Sequence, residues 1–198
     1  MLHAILAALL LAAPVQKADD PPKGKAPAIP ETVFVAEAPA DAKCVAEVKK
    51  AAKKGDTVVI KAKIGGRAEP FIRNRAVVML ADRCLKSCDE IPDDPCTKPW
   101  DYCCEPPESK KANMMTMQVV GADGKPLKTG LQGVRDLEPL ALVVFEGTVA
   151  EIDANGTFVV NATKIHVEKK APAGKSGAKD VKPDVKPDVK PDAKPAAK

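Results

Sequence analysis

The sequence predicts a mainly β fold: five strands that close on one another, one helix in front of them, and a long loop between the second and third strands. Three observations carry this. Five runs rich in β-branched residues follow one another between Thr57 and Val167. The fourth and longest has Gly147 in its middle, and a glycine inside a strand often marks a bend where a sheet turns a corner. Between the second and third runs, residues 84–112 hold five of the six Cys, and five Pro interrupt regular structure there.

The elements follow in order. Asp41 offers a side-chain cap for a helix over 42–54 that stops at Gly55, with Cys44, Val45 and Val48 at core-facing spacing. Thr57–Ile64 alternates: Val58, Ile60, Ala62 and Ile64 share one face, Lys61 and Lys63 the other. Ala76–Ala81, Met114–Val120, Leu140–Ile152 and Phe158–Val167 are the remaining strands. Asp123-Gly124 closes the third, and Asn155-Gly156 reads as a hairpin turn with positive φ at both residues. A helix, two strands, an insert, a strand, a loop and two strands fit a five-stranded Greek-key barrel of the oligonucleotide/oligosaccharide-binding (OB) kind. An open β-sandwich is the competing arrangement.

Composition sets the limits. The chain has 198 residues, 31 Lys+Arg and 27 Asp+Glu. That length suits one small domain with flanking segments and excludes a large multidomain enzyme. The excess positive charge sits in the C-terminal segment 169–198, with nine Lys against four Asp. Residues 31–168 carry 19 basic and 21 acidic side chains. The domain is therefore close to neutral and has no strong electrostatic footprint for nucleic acid. In the tail, Asp-(Val/Ala)-Lys-Pro occurs four times from Asp180. Pro at every fourth position favours an extended spacer. Residues 19–30 form a second Pro-rich linker.

Residues 1–18 read as a secretory signal peptide, because Ala4–Ala13 is an unbroken apolar stretch of export length. It is shorter than the roughly 20 residues of a membrane span. The mature chain is then expected to be secreted or periplasmic, without a transmembrane segment. An envelope polymer or another protein is the partner class that such an address allows.

Export gives the cysteines a first meaning. Cys44, Cys84, Cys88, Cys96, Cys103 and Cys104 are even in number and belong to a small exported domain, so all six are disulfide candidates. Two bridges inside the insert and one to Cys44 would staple the loop to the barrel, with the vicinal Cys103 and Cys104 bonding in different directions. The pairing is open. The alternative is a metal site: Cys84, Cys88, Cys96, Cys103 and Cys104 could supply four thiolates to zinc. Met114, Met115 and Met117 just downstream would extend the choice to copper. A thiol-redox role for the vicinal pair is weaker, because no Cys-x-x-Cys is present. Either way the insert needs a cross-link. It holds seven acidic residues between Asp89 and Glu108 and the lone Trp and Tyr, Trp100 and Tyr102, too little apolar surface to order itself.

Enzyme chemistry is poorly provided for. His3 and His166 are the two His, and His166 is expected to be an exposed strand residue. No nucleophile elbow, zinc-protease helix or phosphate loop occurs. Lys61, Lys63, Arg67, Arg73 and Arg75 lie around the first strand–strand loop, which is a ligand site in OB barrels. They are the candidate ligand-binding residues, with a solvated face as the plainer reading. Phe71, Phe145 and Phe158 are the aromatics available to the barrel, few for stacking bases. The sequence thus reads as a non-enzymatic, disulfide-stabilised binding or envelope-structural protein, with metal binding at the insert as the alternative.

Gly124-Lys-Pro-Leu-Lys-Thr-Gly130 and the string Pro99-Trp-Asp-Tyr-Cys-Cys104 resemble an uncharacterised group of small exported proteins of planctomycete-type bacteria. The resemblance covers about residues 55–168. It implies an OB-like barrel with a Cys insert and assigns no activity.

Overall fold

The computed structural model describes residues 28–168. The expected signal peptide, most of the first linker and the repeat tail lie outside the described residues. Five strands form the architecture: β1 (Thr57–Ile64), β2 (Val77–Asp82), β3 (Met114–Gln118), β4 (Leu142–Ile152) and β5 (Phe158–Glu168). They close into a barrel in the order β1-β2-β3-β5-β4. All neighbouring strands are antiparallel except β3 and β5. This is the five-stranded, Greek-key, OB-like barrel that the strand order predicts, not the open sandwich.

Closure is made by β1. Seven of its eight residues pair with β4, from Thr57 opposite Thr148 to Lys63 opposite Leu142, while its last three residues also pair with β2. β4 must bend to serve both β1 and β5, and it does so at a register shift between Glu146 and Gly147. A Cβ on Gly147 would stand 2.4 Å from the Asn161 carbonyl oxygen. Only glycine allows the two strands that close an approach.

The interior is aliphatic. Ile60, Ala62, Ile64, Val78, Leu80, Met115, Met117, Val143, Phe145, Val160 and Ile165 are sealed from solvent within one continuous cluster. Each large side chain buried this way stabilises the fold by about 1.5–3 kcal/mol before entropy is counted. Of the barrel aromatics, Phe145 and Phe158 belong to this interior and Phe71 packs at its edge.

One end of the barrel is plugged by α1 (Val45–Ala51), whose Val45 and Val48 enter the core. The helix is shorter than the 42–54 expected. Asp41 takes a left-handed conformation, φ 59°, instead of capping. Cys44 occupies the cap position, and the carboxylate of Asp82, at the end of β2, accepts the Ala46 N–H at 2.9 Å. The cap thus comes from a distant strand, which no local pattern reveals. On the same helix, Lys49 Nζ donates to the carbonyls of Lys111, Met114 and Gly156 at 2.6–3.0 Å. That one ammonium ties α1 to the insert, to β3 and to the β4–β5 turn.

The β4–β5 turn also differs from expectation. Gly156 has positive φ, but Asn155 does not. Asp153 accepts the N–H groups of Asn155 and Thr157 at 2.8 and 2.9 Å. A side-chain-capped loop of five residues therefore replaces the two-residue turn. Among the described residues, no helix is long and apolar enough to cross a membrane.

Candidate metal centre

Beyond β2 the chain enters the insert, and its first anchor is polar. Glu90 accepts the N–H and the hydroxyl of Ser87 at 2.8 and 2.9 Å. Lys63, from β1, donates to Ser87 Oγ at 3.1 Å and pairs with the Glu90 carboxylate. Lys63 is only 8% exposed. Burial pulls the Glu90 carboxyl upward, but the Lys63 and Ser87 donors outweigh it and hold the group below the ordinary range.

The second anchor is Trp100 with Tyr102. The Trp100 carbonyl accepts the Gly66 N–H at 2.8 Å, and its indole N–H donates to the Ala68 carbonyl at 3.1 Å. A Cβ on Gly65 would stand 2.5 Å from the Trp100 oxygen and 3.0 Å from the Tyr102 ring. The insert thus lies directly on the first strand–strand loop, and Lys98 adds an ion pair to Glu69 at 2.9 Å. Tyr102 is fully buried, with a left-handed backbone, φ 54°. Among the described residues its hydroxyl has no hydrogen-bond partner. Burial first, and then the negative charge of Glu90, push its pKa upward.

These anchors bring four sulfurs together. The Sγ atoms of Cys88, Cys96, Cys103 and Cys104 all lie within 4.8 Å of one another. Cys88 and Cys103 are 3.9 Å apart, Cys103 and Cys104 3.7 Å. A zinc ion with Zn–S bonds of about 2.3 Å sets its tetrahedral sulfurs about 3.8 Å apart. The vicinal cysteines do not diverge as an extended chain would require. They sit in a turn that the left-handed Tyr102 begins, and their sulfurs converge. Cys88 is buried, Cys96 half-buried, and Cys103 and Cys104 are exposed.

Local turns position these thiols. Asp94 Oδ1 accepts the Cys96 N–H and Asp101 Oδ1 the Cys103 N–H, both at 2.8 Å. Asp82 Oδ1 does the same for Cys84, also at 2.8 Å. The pattern is Asp-x-Cys, three times over: an aspartate that binds the backbone two residues on fixes the turn that presents the sulfur. Asp82, Asp94 and Asp101 are absent from the sequence-based candidates, although the repeated spacing is readable there. Asp94 also accepts the Cys104 thiol at 3.2 Å. Its carboxylate pushes the Cys104 thiol up to about 12 and raises the Cys96 thiol as well.

Cys84 does not join this cluster. Its sulfur faces Cys44 at 2.7 Å, with Asp82 beside the pair. Of the five expected metal ligands, four converge and the fifth belongs elsewhere. No sulfur pair stands at the roughly 2.05 Å of a disulfide bond.

The basic candidates are not assembled into one open patch. Lys61 pairs with Glu168 at 2.5 Å, and Lys63 lies under the insert. Arg67, Arg73 and Arg75 are exposed on the loop. Met115 and Met117 are core side chains, and Met114 packs against Gly66. His166 is half-buried, not exposed, with Nδ1 3.3 Å from the Val35 carbonyl.

No protein-family model, no curated protein and no solved structure matches this chain.

Proposed function

We propose that this chain is an exported, non-enzymatic OB-like protein that binds one zinc ion through Cys88, Cys96, Cys103 and Cys104. The observation that carries the reading is the spacing of the sulfurs, 3.7 and 3.9 Å along two edges of a set whose members all lie within 4.8 Å. Those are the edges of a tetrathiolate tetrahedron around a single ion. Four protein ligands leave no open coordination position, which favours a structural centre over a catalytic one. Tetrahedral thiolate suits zinc, and the interior placement of Met115 and Met117 argues against copper. The apolar stretch Ala4–Ala13 supports export.

The centre's work is to order an acidic, Pro-rich loop that buries little apolar surface. Cys88 and Tyr102 are the insert's buried apolar side chains among the described residues. With the ion in place, the loop is fixed over Gly65–Ala68 and shapes the barrel's first-loop face.

The test is elemental analysis of the protein purified without chelator, with thiol titration before and after a strong chelator. One zinc per chain and four thiols that react only after chelation are expected. Absence of metal, with a non-reduced mass showing two disulfides among these four cysteines, overturns the proposal and restores the all-disulfide insert. Copper in place of zinc overturns the choice of ion.

A further inference from the structure

Cys44 and Cys84 are left out of the metal centre, and their geometry is of another kind. We infer that these two cysteines form a disulfide that clamps the N-terminus of α1 to the root of the insert, at the end of β2.

Their sulfurs stand 2.7 Å apart. That is well inside van der Waals contact and much closer than the roughly 3.8 Å of two thiolates sharing a zinc ion. The pair is forty residues apart in sequence, so local chain geometry does not impose the approach. Asp82 does. Its buried carboxylate accepts the Ala46 N–H through Oδ2 at 2.9 Å and the Cys84 N–H through Oδ1 at 2.8 Å. Cys44 is the cap residue of that helix, two positions before Ala46. One carboxylate therefore registers both backbones and leaves the two side chains facing each other.

The exposures suit an exchange reaction. Cys84 is exposed and Cys44 half-buried, so an oxidant meets Cys84 first. The Cys84 sulfur attacks one sulfur of a small disulfide, forming a mixed disulfide and releasing one thiol. The Cys44 sulfur then attacks Cys84, forms the internal S–S bond and releases the second thiol. The two cysteines lose two protons and two electrons, and the oxidant's S–S bond gains both. Asp82, burial and the Cys84 partner hold the Cys44 thiol up at about 12, with the Cys84 hydrogen bond the largest cause. Cys84, the more exposed sulfur, starts the exchange and Cys44, 2.7 Å away, resolves it.

The inference does not depend on zinc at the other four cysteines, and one experiment keeps the two apart. The full chain is treated with glutathione disulfide, quenched in acid, alkylated, digested and mapped by mass spectrometry without reduction. The expected product is one cross-linked peptide pair, Cys44 to Cys84, lighter by two hydrogens than the separate peptides. Cys44→Ser is expected to leave glutathione on Cys84 and to keep the metal content of the unaltered protein. Cys44 and Cys84 both recovered alkylated would overturn the inference. So would a cross-link from either of them to Cys88, Cys96, Cys103 or Cys104. A second metal equivalent that disappears in Cys44→Ser would replace the bridge by a metal site shared with Asp82.

Discussion

The six cysteines divide into two groups that differ in spacing, in support and in consequence. In the insert, four sulfurs all lie within 4.8 Å of one another, two of the edges being 3.7 and 3.9 Å, on turns tied by Asp94 and Asp101. At the mouth of the insert, two sulfurs stand 2.7 Å apart between a helix cap and a strand end. The first arrangement leaves room for an ion in its centre and the second does not. Residue type is the same in both. What differs is the backbone: irregular turns can gather several side chains around a point, whereas two regular elements meet along a line and offer one pair.

Removing the metal is expected to break the comparison most severely. After chelation, or in Cys103→Ser, the insert should become protease-sensitive and Trp100 fluorescence should change, while the barrel still melts cooperatively. Zinc affinity should fall by more than the 10–100-fold that is typical of losing an outer-shell partner. Limited proteolysis beside a thermal melt checks this, and loss of the whole fold on chelation would show that the centre supports the barrel too.

The bridge comes next. A cross-link closing a loop of this length is worth about 4 kcal/mol in the chain-entropy model. Cys84→Ser should therefore lower stability by about 2–4 kcal/mol under oxidising conditions and leave it almost unchanged in excess reductant. Urea titrations in both buffers measure the difference.

Gly147→Val probes the barrel alone. A Cβ 2.4 Å from the Asn161 carbonyl must displace β5, at a cost of about 2–3 kcal/mol, while metal content and thiol pairing stay as they are. A variant that also lost zinc would show that barrel and insert are not separable.

Glu90→Gln sharpens the link between them. The Lys63 ammonium would keep Ser87 and lose its carboxylate. Glu90 is half exposed, so solvent screens the loss, and about 1–2 kcal/mol is expected. Protection of insert amides from exchange should fall before that of β1.

The smallest effect is acid-dependent. Asp153 lies far from the sulfurs in sequence, and the Thr157 N–H and hydroxyl, with the Asn155 N–H, hold its carboxyl below the usual range. A folded pKa below the unfolded one contributes stability above the unfolded value, and that stability is lost as pH falls through the folded value. The difference between the native protein and Asp153→Asn should therefore shrink as pH drops below about 4. Amide exchange in the β4–β5 turn measures it.

The barrel was legible because its signals are short-range. The alternation of Thr57–Ile64 and the bend at Gly147 translate directly into β1 and the register shift in β4. The ends of elements were less legible, because tertiary partners set them. Asp82 decides where α1 starts, and Asp153 decides the turn that Asn155-Gly156 alone would have made tighter. Val, Ile, Leu and Met fill the barrel continuously with few aromatics among them. The two sulfur groups lie in the insert and at its root. At the site, the candidate cysteines were readable and their partition was not, since it depends on where the chain turns between Cys84 and Cys88. The burial of Lys63 is illegible for the same reason: strand alternation places it outward, and only the folded insert covers it.

Gly65 has one further implication. With no side chain there, the Trp100 backbone rests against the barrel wall, and a segment rich in carboxylates becomes the outer skin of what would otherwise be an open cleft. Asp89, Glu90, Asp93 and Glu108 of that segment are exposed to solvent. A cationic probe is therefore expected to be held on the insert more readily than a polyanion.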